Sequence, residues 1–313
     1  PAAKYTMLFN TVLKACANSG NVSRAELWYG RMQEQRIRVN HKTFGKVLEA
    51  AAKGRDPEAA RAWMEGMPLE GRTEEVAVSI MVDAHARAAQ PDEAADWMHR
   101  MDAARVQADV VAYNSMVNAC AQAGQIAKAT AWLGRMEAAL VAPNSVTYNT
   151  VINACAQAGQ IDDATGWLRR MEEARLRPDT ESYNGVVNAC AQAGQIHAAT
   201  DWLNRMETLS IEPDLISFST VINVHARAGH VHDARRWLCK LQDARMQPDL
   251  VTYSSLVHAC ARAQQAAEAA GLLEGMEAAS GEPDVVMYTS VVNACSRAGQ
   301  IGEAARWLGR MEA

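Results

Sequence analysis

The side chains in this sequence that can do chemistry are spread along it at regular intervals. Cys120, Cys155, Cys190, Cys260 and Cys295 lie at multiples of 35 residues from one another, and Cys16 shares their register once a one-residue shortening of the second repeat is counted. Thiols offer disulfides, metal ligation or nucleophilic attack, but copies of one site spaced this way argue for none of these. Helices stacked about 8–10 Å apart hold equivalent Cα atoms beyond the roughly 7 Å a disulfide spans. Reduced, packed thiols and a reducing compartment are expected. His225, His230, His232 and Cys239 come nearest to a metal set. However, His225 and His85 stand in the cysteine column, Cys239 belongs to another helix face, and His-x-His has no partner at ligand spacing, so no metal and no cofactor are expected. There is no glycine-rich phosphate loop, no Ser-His-Asp order tied to strands and no Cys-x-x-Cys, and hence no expectation of an enzyme.

A second set of groups has a different chemistry. Asn10, Ser79, Asn114, Asn149, Asn184, Ser219, Ser254 and Thr289 occupy one column of the repeat. A solvated helix face is normally built from Glu and Lys, which favour helix more than Asn or Ser do. Short side chains that both donate and accept hydrogen bonds suit the edges of unpaired nucleobases. The competing role is capping or bonding to nearby backbone. Switching between Asn and Ser from repeat to repeat favours reading, because a cap tolerates either residue everywhere.

These groups must be positioned by a repeated element. NACAQAGQI occurs at 118, 153 and 188, with NACSRAGQI at 293, and a period of this length implies a solenoid. The repeats run 6–40, 41–74, 75–109, 110–144, 145–179, 180–214, 215–249, 250–284 and 285–313. In the fifth, Tyr148, Val151, Ile152 and Cys155 recur at helical spacing, predicting a helix over Val146 to Ala158 that Gly159 ends. A second helix is expected from Asp162 as N-cap, with Ala164, Trp167, Leu168 and Met171 on one face, and Pro178-Asp179 closes the unit. Ala recurs at the Ala164 position in every repeat, requiring close helix approach, and Trp recurs in all but the eighth repeat, four residues before Met, or before Leu241 in the seventh, as a core pair. Leu272 replaces the ring there, predicting looser packing. The fold class is therefore all-α, a right-handed superhelical solenoid of about nine helix-turn-helix repeats forming a single array.

Val146-Thr147-Tyr148-Asn149-Thr150-Val151-Ile152, Ala158-Gly159, Ala164, Met171 and Pro178-Asp179 together resemble the pentatricopeptide-repeat family, in its class of uniform 35-residue units. The resemblance covers essentially the whole chain. It implies sequence-selective binding of single-stranded RNA, one base per repeat, in organellar RNA processing, stabilisation or translation, with a mitochondrial or chloroplast location. The fifth and last residues of a repeat would select the base, and the second would wedge bases apart. On that basis Asn149 with Asp179 and Asn184 with Asp214 imply U, and Asn10 with Asn40 and Asn114 with Asn144 imply C, tolerating U. Ser79 with Asp109, Ser219 with Asp249 and Ser254 with Asp284 imply G, and Thr289 implies a purine. Gly45 with Glu74 fits no pair, so the implied site is Y-N-G-C-U-U-G-G-R. Met7, Val76, Val111, Val146, Ile216, Val251 and Val286 are the implied wedges, while Lys42 and Glu181 depart from the pattern.

The net charge of −5, from 31 basic and 36 acidic residues, runs against a generic nucleic-acid binder. The first helices nevertheless carry eight basic against four acidic groups. Lys53, Arg87, Arg227, Arg262 and Arg297 form one column where the resemblance implies phosphate contact; Gln122, Gln157 and Gln192 fill it in the middle repeats. Three to five neutralised phosphates imply a log-log salt slope of about −2 to −4. A protein-interaction scaffold, such as a structural subunit of an organellar complex, is the alternative, and protein partners are expected on the same surface or at the array ends. No run approaches the roughly 18 apolar residues of a membrane span. Both ends of the chain read as cuts within a repeat array, so an RNA-targeting piece of a longer enzyme is a further expectation.

Overall fold

The computed structural model describes residues 2–66, 72–279 and 281–312, and among these the side chains of 5–66, 77–279 and 281–312. Among the described residues the chain forms 18 helices and no strand. None of these helices is long and apolar enough to cross a membrane. The chain divides into two compact units, residues 1–154 and 155–313.

In the first unit the leading helices of successive hairpins are α1 (Ala2–Ser19), α3 (His41–Lys53), α5 (Arg72–Arg87) and α7 (Val110–Gln122). Their second helices are α2 (Val22–Glu34), α4 (Pro57–Glu65), α6 (Pro91–Ala103) and α8 (Ile126–Ala138), followed by α9 (Ser145–Gln157), within which the units divide. The second unit continues with leading helices α11 (Thr180–Gln192), α13 (Leu215–Arg227), α15 (Leu250–Arg262) and α17 (Val285–Arg297). They are accompanied by α10 (Ile161–Glu173), α12 (Ile196–Thr208), α14 (Val231–Asp243), α16 (Ala266–Ala278) and α18 (Ile301–Glu312). Apart from α9, within each unit a leading helix packs on the next leading helix, as α3 on α5 or α13 on α15, and a second helix packs against the leading helix that follows it, as α2 on α3 or α10 on α11. The result is an all-α repeat solenoid of two helical layers.

The packing columns follow from residue size. Ala25, Ala60, Ala94, Ala129, Ala164, Ala199, Ala234 and Ala269 are completely buried, since only a methyl fits where the two helices of a hairpin meet. Trp97, Trp132, Trp237 and Trp307 are buried and the other tryptophans half-buried. A cation three residues on covers the ring: Arg100 lies 4.5 Å from the Trp97 centroid, Arg135 4.2 Å from Trp132 and Lys240 4.2 Å from Trp237. The indole thus faces the core on one side and a cation on the other. Leu272 is buried as well. All seven cysteines are free thiols, six of them buried and Cys239 exposed.

Gly159 adopts φ +67°, donating to the Ala156 carbonyl while Gln160 N–H reaches the Cys155 carbonyl. This pair of bonds is a Schellman turn, and the left-handed conformation it requires is why glycine recurs there. The tight corner also corrects one expectation. The N-cap of α10 is Gln160, which makes no side-chain capping bond; Asp162 sits inside the first turn, because the left-handed residue feeds the chain into the helix two residues earlier. The leading helix of the same repeat begins at Ser145, one residue before the sequence-based start.

Candidate nucleic-acid interface

In seven of the repeats the last residue caps the start of the next leading helix, whereas Glu74 falls inside α5. The side-chain oxygens of Asn40, Asp109, Asn144, Asp179, Asp214, Asp249 and Asp284 accept from the backbone N–H three residues on, at 2.8–3.1 Å. Extended backbone at the cap, with an oxygen over the first turn, satisfies an otherwise orphaned donor and favours negative charge at the helix start. Capping, weighed in the sequence for the fifth-residue column, therefore belongs to the last-residue column.

The same caps sit against the fifth residues of the preceding leading helices. Asn184 Nδ2 donates to Asp214 Oδ1 at 3.0 Å, and Asn114 Nδ2 to Asn144 Oδ1 at 3.3 Å. A third side chain, not singled out in the sequence, ties each pair. Ser217 Oγ lies 2.5 Å from Asn184 Oδ1 and 2.9 Å from Asp214 Oδ1; Thr147 Oγ1 lies 2.6 Å from Asn114 Oδ1 and 3.1 Å from Asn144 Oδ1. Thr43 spans Asn10 and Asn40 likewise, at 2.9 and 3.1 Å. Thr252 gives its proton to the Asp249 carboxylate at 2.6 Å, so Ser219 is the donor in their 2.8 Å contact. The signal for these buried hydroxyls was present as a capping box, Asp or Asn followed three residues later by Ser or Thr.

Where that third residue lacks a hydroxyl, the tie is missing. Ala112 and Met287 occupy the position after Asp109 and Asp284, and Ser79 and Ser254 are half-buried with no bond to those carboxylates. Thr289 turns its hydroxyl to the Val285 carbonyl at 2.6 Å. Asn149 is buried, at 4% exposure, unlike the half-buried Asn10, Asn114 and Asn184. Gly45 presents no side chain, and Glu74 falls outside the described side chains.

Three residues before the fifth position, six of the repeats carry an apolar group that the fold leaves in solvent, while Lys42 and Glu181 stand there before Gly45 and Asn184. Met7, Val111, Val146, Ile216, Val251 and Val286 are 55–66% exposed; Val76 lies outside the described side chains. Scattered apolar exposure is ordinary on any protein, but a column of it at one register is not.

The basic column is uneven. Lys53 Nζ is 3.0 Å from Glu49, which Lys46 also contacts at 2.5 Å, and Arg87 Nε is 2.7 Å from Asp83. Burial would raise the Glu49 carboxyl, but the two ammonium groups outweigh it and hold it below the usual value. Arg227, Arg262 and Arg297 are exposed and make no ion pair among the described residues. The residues one turn earlier explain this, being Asn223, His258 and Asn293 in place of Glu49 and Asp83.

Known proteins share this repeat fold. Residues 108–157, 143–192, 178–227 and 213–262 match the PPR repeat family, and 7–37, 76–106, 251–280 and 286–313 match the PPR repeat. A chloroplastic pentatricopeptide repeat-containing protein of Arabidopsis thaliana is 32% identical over 104 residues, which are 33% of this chain and 12% of that protein. Among solved structures, PPR10 in complex with an 18-nt psaJ RNA element aligns with a TM-score of 0.71 at 22% identity, over 97% of this chain and 44% of that one. PPR10 from maize aligns at 0.68 and 23% identity over the same shares. The PPR domain of Arabidopsis thaliana protein-only RNase P 1, in complex with tRNA, aligns at 0.50 and 16% identity over 57% of this chain and 94% of that domain. The chain thus spans under half the length of the first of these solved chains and about an eighth of the curated relative. With repeat matches along its length and hairpins of the same architecture, the chain belongs to the pentatricopeptide repeat family.

Proposed function

We propose that this chain binds single-stranded RNA along its leading helices, with one array of nine repeats meeting successive bases. The observation that carries the reading is the recurrence, in register, of an exposed apolar side chain beside a paired fifth and last residue. An apolar side chain between bases covers their faces, and the pair beside it meets their edges. The Asn184 amide and the Ser217 backbone N–H both donate to Asp214 Oδ1, leaving Oδ2 to accept from a base. A carboxylate there suits bases with a ring N–H on the pairing edge, U and G. An amide such as Asn144 can also donate, which suits the ring acceptor of C. The site read this way is Y-N-G-C-U-U-G-G-R. RNA is the named ligand of PPR10 in its complex and the relative is chloroplastic, which support an RNA ligand and an organellar location; the role we propose there is RNA processing, stabilisation or translation.

Fluorescence anisotropy with that nonamer and a shuffled one tests the reading. The nonamer binds at least tenfold more tightly if the pairs read bases; equal affinities would remove the base assignments, and no binding to either would leave a protein-binding solenoid. On the charge distribution seen here, three free arginines imply a log-log salt slope of about −2.

A further inference from the structure

The corner between α13 and α14 holds a group of ligating atoms outside the RNA-binding face. His225, near the end of α13, His230, the N-cap of α14, and Asp233 in its first turn bring a ring nitrogen each and a carboxylate oxygen within 4.8 Å of one another. The cap residue makes no capping bond with its side chain, so its imidazole is not committed to the helix.

The tautomer of His225 follows from its neighbours. Thr200 Oγ1 donates to the Ile196 carbonyl at 3.0 Å, and the same oxygen lies 3.0 Å from His225 Nε2. With its only proton given to the carbonyl, Thr200 accepts from His225, so Nε2 carries the hydrogen and Nδ1 the lone pair. Nδ1 is buried without a hydrogen-bond partner, in a side chain that is 94% buried. A fixed imidazole with one nitrogen hydrogen-bonded and the other lone pair unused, in a group with another imidazole and a carboxylate, is how proteins present histidine to a metal.

The cysteine column supplies an internal control. His85 is the one other histidine in that column, and its Nδ1 lies 2.9 Å from Oε1 of Gln90, at the position His230 occupies in the seventh repeat. There Nδ1 is the donor and is satisfied. Only the seventh repeat replaces both the packed cysteine and the corner glutamine by histidine.

We propose that His225 Nδ1, His230 and Asp233 bind one divalent transition ion of the zinc type. Three ligands of this kind leave a position for water or an incoming donor. Tetrahedral bonds of roughly 2.0–2.1 Å place ligand atoms about 3.3 Å apart, a contraction that the exposed side chains of His230 and Asp233 make by rotating about the fixed His225. The sequence-based expectation of no metal weighed His225, His230, His232 and Cys239, and placed His225 with the packed cysteine column. His232 is 96% exposed and Cys239 is not among the grouped atoms; Asp233 replaces them.

Titration of Zn2+ into the full untagged, chelator-stripped chain, followed by calorimetry and by the visible absorption of Co2+ in its place, tests the site. One equivalent is expected, with Co2+ bands of a four- or five-coordinate ion. His230→Gln restores the residue found in other repeats, and with Asp233→Asn it should weaken binding at least tenfold while helical content and melting in the metal-free state stay unchanged. Thr200→Val, which frees the tautomer, should weaken binding less. Absence of one-equivalent binding overturns the proposal, as does binding unchanged by His230→Gln and Asp233→Asn or abolished by alkylation of Cys239. Nitrogen chemical shifts of metal-free His225 must show the Nε2–H form; the opposite tautomer also overturns it.

Discussion

The two units carry the same basic column to different effect. In the first, Lys53 and Arg87 spend their charge on Glu49 and Asp83 one turn earlier. In the second, Arg227, Arg262 and Arg297 have polar neutral neighbours at that spacing and remain in solvent. A cation held by a carboxylate at i−4 must lose that partner before it can meet a phosphate, so equal counts of basic residues do not make equal surfaces for a polyanion.

The largest effect should come from removing the free charges. Arg227, Arg262 and Arg297 changed together to Ala should lower RNA affinity by more than tenfold at low salt and flatten the log-log salt slope by about 2. Lys53 and Arg87 changed to Ala should lower affinity less than about threefold; equal losses from the two sets would erase the contrast. Next, Asp214→Asn keeps the cap, since Asn and Asp cap nearly equally. It should shift the preference of that repeat from U toward C by about tenfold, roughly 1.4 kcal/mol, with little change in Tm. A Tm loss without altered preference would reduce the pair to its capping role.

The converse of the first experiment is smaller. Glu49→Gln with Asp83→Asn should release Lys53 and Arg87, raising affinity about twofold to fivefold and steepening the salt slope by about 1.4; an unchanged slope would mean that these cations do not reach the backbone of the ligand. A still smaller effect tests packing in both units. Arg55, Ala89 and Gln264 hold φ near +58° where the other leading helices have glycine. Ala89→Gly and Gln264→Gly should each stabilise by about 1 kcal/mol, read from urea melts.

The buried thiols add a pH dependence. Burial pushes Cys155, Cys190 and Cys260 up to about 11 from 9.0. The folded state therefore favours the protonated thiol, and its contribution is complete below pH 9 and lost as pH rises through about 11. Thermal melting should show Tm falling across that window, and a flat profile would mean that the thiols already titrate in the fold. At neutral pH only Cys239 should react quickly with a thiol reagent.

Much of this was legible in the residues. The period, the hairpin, the buried Ala column and the cysteine column follow from repetition, because a side chain that must fit between the same two helices in every unit has little choice of size. Legible too, but misassigned, was the cap. Asp and Asn at repeat ends satisfy the start of the next helix, and the Ser and Thr three residues on complete capping boxes. The second role of those hydroxyls, tying Asn184 to Asp214 or Asn114 to Asn144, could not be read from one strand of sequence, since the groups lie about 30 residues apart.

From its sequence alone, this protein is bound to be a stack of helical hairpins with a polar column on each leading helix, since turn glycines, helical spacing and repeat length are local properties. Only the tertiary structure decided which polar groups meet: a cap and a fifth residue from successive helices, cations neutralised in one unit and free in the other, and two histidines with Asp233 at one corner. These outcomes depend on the distance between side chains of different helices, which packing sets and spacing along the chain does not reveal.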